Sequence, residues 1–362
     1  MPPVTKATFN NKDSHFFEAL KQKIDAYFSN NKIKQSGNYK LYTKAALLLT
    51  TLVAIYVTLV FFTPSSGMLG ILLCALMGVN FAAIGFNIMH DGAHGSFSTK
   101  PWVNQMMSHS LEMMGGSSYM WKVKHNLNHH TFTNIEGMDD DIDIKPFIRV
   151  SEDQPKHWYH RFQHIYSFVL YALTYFFWIF WLDFKKYFSG KVGEMKFKKM
   201  STYDHILFWV SKLVYLFVFV IFPIYNVGLL DTVIGYSVVL VVTGIIISVV
   251  FQLAHVVEGA TFVAGKEDSK TLKVDTEWAV HQLNTTANFA TKNKFVSWFV
   301  GGLNYQVEHH LFPKISHIHY PEISKLVKET CQQFNVNYME FPTVMSAVKA
   351  HVNHLKHIGV AA

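Results

Sequence analysis

The stretch YTKAALLLTTLVAIYVTLVFFT (42–63), PSSG (64–67), MLGILLCALMGVNFAAIGFNIM (68–89) has no charged side chain after Lys44 and runs directly into HDGAH at 90–94. Each apolar half is about 20 residues long, which at about 1.5 Å per residue spans the hydrocarbon of a bilayer. Pro64, Ser65, Ser66 and Gly67 interrupt the run where a chain has to turn. The whole therefore reads as a membrane hairpin whose second arm ends in two histidines spaced i, i+4, on one face of a helix.

The same pattern recurs later in the chain. Residues 206–224 and 229–251 are a second apolar pair, joined by the turn YNVG at 225–228. Lys212 falls in the first turns of this pair, where its stem can snorkel to the near interface. Between the hairpins, 162–182 is apolar too, but it carries His164, Tyr166, Tyr171, Tyr175, Trp178 and Trp181, the composition of a headgroup belt. If it crossed the bilayer, the histidines before and after it would lie on opposite sides, so it is expected to be interfacial or half-inserted. Lysines gather before the first span (Lys32, Lys34, Lys40, Lys44), after the second (Lys122, Lys124, Lys145) and before the third (Lys185, Lys186, Lys191, Lys196, Lys198, Lys199), and are missing from both hairpin turns. The positive-inside rule then puts the long connections and both termini in the cytoplasm.

The expected fold is an all-α integral membrane protein, with four transmembrane helices in two hairpins, interfacial helices and a cytoplasmic helical cap. Residues 1–41 are expected to form a cytoplasmic N-terminal segment, 42–313 the membrane domain and 314–362 a helical C-terminal segment. Within the first, Phe16, Phe17, Leu20, Ile24, Tyr27 and Phe28 recur at three- and four-residue steps. They predict an amphipathic helix, lying on the membrane or packed on the rest of the protein. The leading residues hold no apolar core for a cleavable signal. The net charge of +7 is almost wholly lysine, with only Arg149 and Arg161 as arginines, and suits an anionic lipid surface. A nucleic-acid reader motif is missing, and two cysteines, Cys74 and Cys331, make neither a disulfide framework nor a thiolate metal site.

Beyond His90 and His94, three histidines fall within HNLNHH (His125, His129, His130), two within QVEHH (His309, His310), and His255 follows the fourth span by about one turn. Each group stands where an expected span meets the cytoplasm. Imidazole suits iron, copper, nickel or zinc. The His-Glu-x-x-His of zinc proteases and the Glu-x-x-His pairs of carboxylate-bridged di-iron bundles are both missing. Eight histidines exceed the needs of one tetrahedral zinc and match two ions with about four nitrogens each. A nitrogen-rich redox pair at the ends of apolar helices is placed to act on a lipid-borne chain with oxygen.

The three groups, in this order and spacing around two membrane hairpins, resemble the histidine boxes of the membrane fatty acid desaturases, and the match runs from about residue 42 to 313. Gln306, in place of a histidine at the head of the third box, resembles the front-end subgroup, which inserts a double bond between an existing one and the carboxyl end. The isolated His255 matches that family's extra ligand. The resemblance implies a non-haem di-iron centre held by His90, His94, His125, His129, His130, His255, His309 and His310, with O2 as co-substrate and a long-chain acyl-CoA or acyl-lipid as substrate. It implies a plasma-membrane location in a bacterium or an endoplasmic-reticulum one in a eukaryote. Many front-end members carry a fused cytochrome b5 domain with a His-Pro-Gly-Gly motif, which this sequence lacks. A separate ferredoxin- or cytochrome b5-like carrier is therefore expected to deliver the two electrons.

Asp91 and Glu308 are expected to hold ligand rings by accepting their N–H bonds, and Gln306 to hold a water or a neighbouring imidazole, with weak ligation as its alternative. The acidic run Asp139, Asp140, Asp141 and Asp143 reads by default as a solvated loop, with a role beside the second box as the alternative. His281 is a weaker ligand candidate. His109, His157, His160, His164, His317, His319, His351, His354 and His357 match no box and read as surface or interface residues. Residues 79–89 and 246–251 are candidate walls for an acyl tunnel. Two other activities remain open: hydroxylation on the same scaffold, and a metal-binding membrane transporter or sensor.

Overall fold

The computed structural model describes residues 6–11, 15–193, 195–264 and 271–361. The first five residues, on which the reading of the N-terminus partly rests, lie outside it. The described chain is mostly helical, with three short two-stranded ladders: Lys6–Phe9 with Thr271–Val274 and Asn288–Phe289 with Glu340–Phe341, both parallel, and Lys191–Val192 with Met195–Lys196, antiparallel.

Among the described residues, five helices are long and apolar enough to cross a membrane: Tyr39–Phe61, Gly67–His94, Trp158–Ser189, Thr202–Val227 and Leu229–His255. The first two form the expected hairpin. Asn38 caps the first by accepting from the Lys40 N–H, and Ser66 caps the second by accepting from the Leu69 N–H. Such side chains replace the partners that the first turn of a helix lacks. The second helix continues past the expected boundary through a π-helical turn, Gly85–Met89, into His90–His94. It stops at Gly95, whose φ of +77° is the left-handed conformation that glycine adopts without strain. In the second hairpin, the last helix ends on His255 itself.

The helix Trp158–Ser189 lies lengthwise against Leu229–His255. At Gly244 a Cβ would come within 2.8 Å of the carbonyl oxygens of Tyr171 and Ala172, so only glycine admits so close an approach of the two backbones. Both ends of Trp158–Ser189 are tied to the layer that carries the histidines. Gln163 donates to the carbonyls of Arg149 and Leu355 at 2.8 Å, and Lys186 pairs with Asp140 at 3.5 Å. Its middle reaches inward, where Tyr175 meets the ring of Phe81.

Lys212 departs from the snorkelling expectation. Its side chain is 6% exposed, and its Nζ is 2.8 Å from the Asp183 carboxylate, 2.6 Å from the Gly115 carbonyl and 2.9 Å from that of Ile179. The counter-charge comes from the last turns of Trp158–Ser189, which the sequence does not mark as a neighbour. The ammonium therefore finds its acceptors inside the protein and has no need of the interface.

The amphipathic helix His15–Asn31 follows the packed alternative. Its buried side chains Phe16, Leu20, Ile24 and Phe28 share one apolar cluster with Ile323 and Val327 of the helix Tyr320–Gln333 and with Val307 and Leu311.

Candidate metal centre

The three histidine groups converge. One ring nitrogen from each of His90, His94, His125 and His309 lies within 4.8 Å of the others, and the same holds for His129, His255 and His310. His130 stands between the two sets, with its ring centroid 4.5 Å from both His309 and His310 and 4.8 Å from His94. All eight are buried.

A local distortion makes this possible. Residues Val123–His129 form a π-helical turn, wider than an α-turn, with hydrogen bonds closing over five residues. His125, His129 and His130 then all project to one side, with ring separations of 5.1 Å (His125 to His129) and 4.8 Å (His125 to His130). The helix Gln306–Leu311 sends His309 to the first set and His310 to the second.

The ring nitrogens are divided in a way that fits metal binding. Nδ1 of His125 is 2.9 Å from Asp141, Nδ1 of His129 is 2.9 Å from Asp139, Nδ1 of His309 is 3.1 Å from the Tyr320 hydroxyl, and Nδ1 of His310 is 2.8 Å from the Gln282 side-chain oxygen. Nδ1 of His255 is 3.3 Å from the Thr285 carbonyl. Nε2 of His94, His129, His255, His309 and His310, and Nδ1 of His130, are buried with no hydrogen-bond partner. An acceptor on Nδ1 selects the tautomer whose Nε2 lone pair is free, and a set of such lone pairs buried together is costly unless a cation takes them. The residues present fit bound metal.

Residues 65–342 match the fatty acid desaturase family. The chain belongs to that family. An sn-1 linoleoyl-lipid 6-desaturase of Arthrospira platensis is 38% identical over 368 positions, covering 98% of this chain and 95% of that protein. A protein of the same description from Synechocystis is 34% identical over 96% of each chain. An acyl-lipid (8-3)-desaturase of Physcomitrium patens is 37% identical over 98% of this chain and 74% of its own length. The protein is thus a membrane fatty acyl desaturase, an oxidoreductase of lipid metabolism.

Electrostatics in the desaturase keep most of the rings neutral. Burial and the neighbouring imidazoles hold His130, His309 and His310 well below the ordinary histidine range. Burial also lowers His125, with Asp141 working against it. At His129 burial is the largest influence and acts downward, but Asp139 and Asp141 together outweigh it and the net shift is upward. Asp141 is opposed by burial yet is held well below the carboxylate range, chiefly by Lys124 at 2.6 Å and by His125.

The residues that hold the rings differ from those expected. Asp91 accepts from the Ser316 hydroxyl at 2.7 Å and pairs with His317 at 3.0 Å, and touches no box histidine by hydrogen bond. Glu308 takes its hydrogen bonds from Asn288 and Tyr338, because its position on the helix turns it away from the side shared by His309 and His310. Burial pushes its carboxyl up to about 7, with those two donors acting the other way. In the acidic run the default reading fails: Asp139 and Asp141 hold His129 and His125, while Asp140 and Asp143 pair with Lys186 and Lys145. Gln306 is buried one turn before His309 and His310.

His281 stands apart from both sets, with its Nε2 2.8 Å from the Thr133 carbonyl. His160, His317, His319, His351 and His354, read from sequence as surface or interface residues, are buried, and each has a partner in the fold. Gln282, Thr285 and Tyr320 escaped the sequence reading because nothing local to them signals a metal. The signal available for Gln282 and Thr285 was their place next to the candidate His281 in sequence.

Proposed function

We propose that this desaturase holds two iron ions and introduces a double bond into a membrane-lipid acyl chain on the carboxyl side of an existing one, using O2 and two electrons from a separate carrier. The observation that carries the metal assignment is the set of buried ring nitrogens without hydrogen-bond partners among the described residues, carried by rings that converge. His90, His94, His125 and His309 would hold one ion, His129, His255 and His310 the other, and His130 stands within reach of both sets. Gln306 is assigned to a bound water or a neighbouring ring, since an amide is a weak ligand beside imidazole. Bound iron would supply the oxygen activation needed to remove hydrogen from an unactivated methylene pair.

The protein's own part is to position and to exclude water. Asp139, Asp141, Gln282, Tyr320 and the Thr285 carbonyl fix ring orientation. Trp121 stacks on His125 at 4.3 Å, and Phe251 lies 5.0 Å from the rings of both His129 and His255, which gives the site apolar walls. Front-end selectivity and a lipid-borne substrate are supported by the Gln-x-x-His-His form of the third box and by the names of the linoleoyl-lipid 6-desaturases to which the chain is similar.

In the topology that goes with this reading, four helices cross and Trp158–Ser189 is half-inserted, as its two anchored ends support. The termini and the metal centre then share the cytoplasmic side, which the lysine distribution supports.

The test is a lipid profile of a host with and without the gene, fed defined polyunsaturated precursors, together with the iron content of the purified protein. The expected product is two hydrogens lighter than its precursor, with the new bond on the carboxyl side. A product heavier by one oxygen would replace desaturation by hydroxylation, and active protein without iron would overturn the metal assignment. His129→Ala is expected to abolish product while leaving membrane insertion intact.

A further inference from the structure

The helix Gln306–Leu311 contributes one ring to each set, so its position sets both at once. It is a short helix, and its capping residue, Tyr305, makes no side-chain cap. A buried first turn leaves N–H groups that need acceptors from elsewhere. One comes from Asn288, far back in the chain: its Oδ1 accepts the Val307 N–H at 2.8 Å. The Asn288 Nδ2 group donates to Glu308 Oε2 at 2.7 Å and to the Tyr338 hydroxyl at 2.6 Å, and that hydroxyl donates to Glu308 Oε1 at 2.8 Å.

The ring of bonds is closed. Asn288 and Glu308 are fully buried, and both amide hydrogens and the amide oxygen of Asn288 are in use. Asn288 is itself held on the strand Asn288–Phe289, paired with Glu340–Phe341, while the Phe289 N–H donates to the Asn304 carbonyl just before the helix.

We infer that Asn288 is the positioning residue of the third histidine box: with Glu308 and Tyr338 it locks the helix Gln306–Leu311 in the register that delivers His309 to one ion and His310 to the other. This rests on the two-ion reading above. Of the side chains that could sit at 288, only an amide serves both partners. Alanine leaves a helix N–H and a buried carboxylate without partners, and aspartate sets a second carboxylate against Glu308. Exchanging the roles, with aspartate at 288 and glutamine at 308, restores one acceptor for the Val307 N–H and a donor facing it.

The experiment uses full-length protein in detergent, stripped of metal and titrated with Co2+, followed by the ion's visible absorption, with helical circular dichroism as the check on folding. Wild type is expected to take up two Co2+. His309→Ala and His310→Ala are expected to weaken one binding step each. Asn288→Ala is expected to weaken both steps together, by ~10–100-fold, the usual cost of losing a residue that orients ligands. Asn288→Asp is expected to do worse, and Asn288→Asp with Glu308→Gln to recover most of the loss. Tyr338→Phe removes one arm of the lock and is expected to produce a smaller loss in both steps, which keeps the test decisive if Asn288→Ala does not fold. Unchanged binding in Asn288→Ala or in Tyr338→Phe, weakening of one step alone, or no recovery in the exchanged pair would overturn the inference. A folded wild type that takes up no Co2+ would instead sink the two-ion reading itself.

Discussion

Asp139→Asn is the substitution that most directly probes how the second set of rings is held. The buried carboxylate accepts four contacts: Oδ1 from His129 Nδ1 at 3.1 Å and the Asp141 N–H at 3.0 Å, Oδ2 from His129 Nδ1 at 2.9 Å and the Asn134 N–H at 2.9 Å. An amide has the same shape, but in either orientation its NH2 replaces an oxygen that faces a backbone N–H. One buried donor is then left unsatisfied, at ~1–3 kcal/mol, and the charged acceptor of His129 is gone. Without it the imidazole proton is free to move to Nε2, the atom a metal needs. The expected result is a ~10–100-fold loss of metal affinity, equivalent to ~1.4–2.8 kcal/mol, in the set formed by His129, His255 and His310. Metal titration of the detergent-solubilised protein reads it directly. Asp143→Asn, in the same acidic run but 31% exposed and paired with Lys145, is the control and should change affinity by less than about twofold. Equal effects of the two substitutions, or wild-type affinity in Asp139→Asn, would refute the assignment of Asp139 as the holder of His129.

Two further outcomes follow from buried polar groups away from the centre. Lys212→Met leaves the Asp183 carboxylate, among the described residues, with only the Trp178 indole N–H as a side-chain donor, and is expected to cost ~3–5 kcal/mol in thermal-melting and proteolysis assays. Lys212→Met combined with Asp183→Leu should recover most of it, whereas a snorkelling lysine would leave the single variant near wild type. His351 donates from Nδ1 to the Val256 carbonyl at 2.6 Å and accepts at Nε2 from the Tyr171 hydroxyl, and burial lowers it to about 4. A histidine depressed in the folded state contributes stability that is present above its unfolded value of ~6.5 and is lost as pH falls through about 4. The stability gap between wild type and His351→Gln should therefore narrow between pH ~6.5 and 4, measured by melting temperature at each pH. A gap that stays constant over that range would refute it.

What could be read from the chain, and what could not, divides along the range of the interactions. The apolar arms and the histidines at their ends are local patterns, set by helix period and bilayer thickness; seven of the eight rings gather in two groups and His130 lies between them. The residues that orient the rings come from elsewhere in sequence: Gln282 and Thr285 from a segment past the last span, and Tyr320 from beyond the third box. Asp139 and Asp141 were visible but looked like any charged loop, because only the tertiary fold shows that their carboxylates face inward. The same holds for Lys212, whose partner Asp183 lies 29 positions earlier, and for His317, whose link to Asp91 spans almost the whole membrane domain. Asp91 and Glu308 show the converse. Each stands next to a box histidine in sequence yet meets other partners in the fold, Ser316 and His317 for Asp91 and Asn288 and Tyr338 for Glu308.

The wide turns at Gly85–Met89 and Val123–His129 carry a consequence for how such a chain tolerates change in length. A π turn is one residue more than an α-helix needs, accommodated as a local bulge. Removing a single residue from 85–89 would let the helix close into regular form, so that the bulge takes up the loss and His90 and His94 keep roughly their direction, whereas one residue removed from a helix with no such turn rotates all that follows by about 100°. The spans below and the two imidazoles above would then keep their faces: the wide turn is a reserve of one residue that buffers the reactive end of the molecule against a change in chain length.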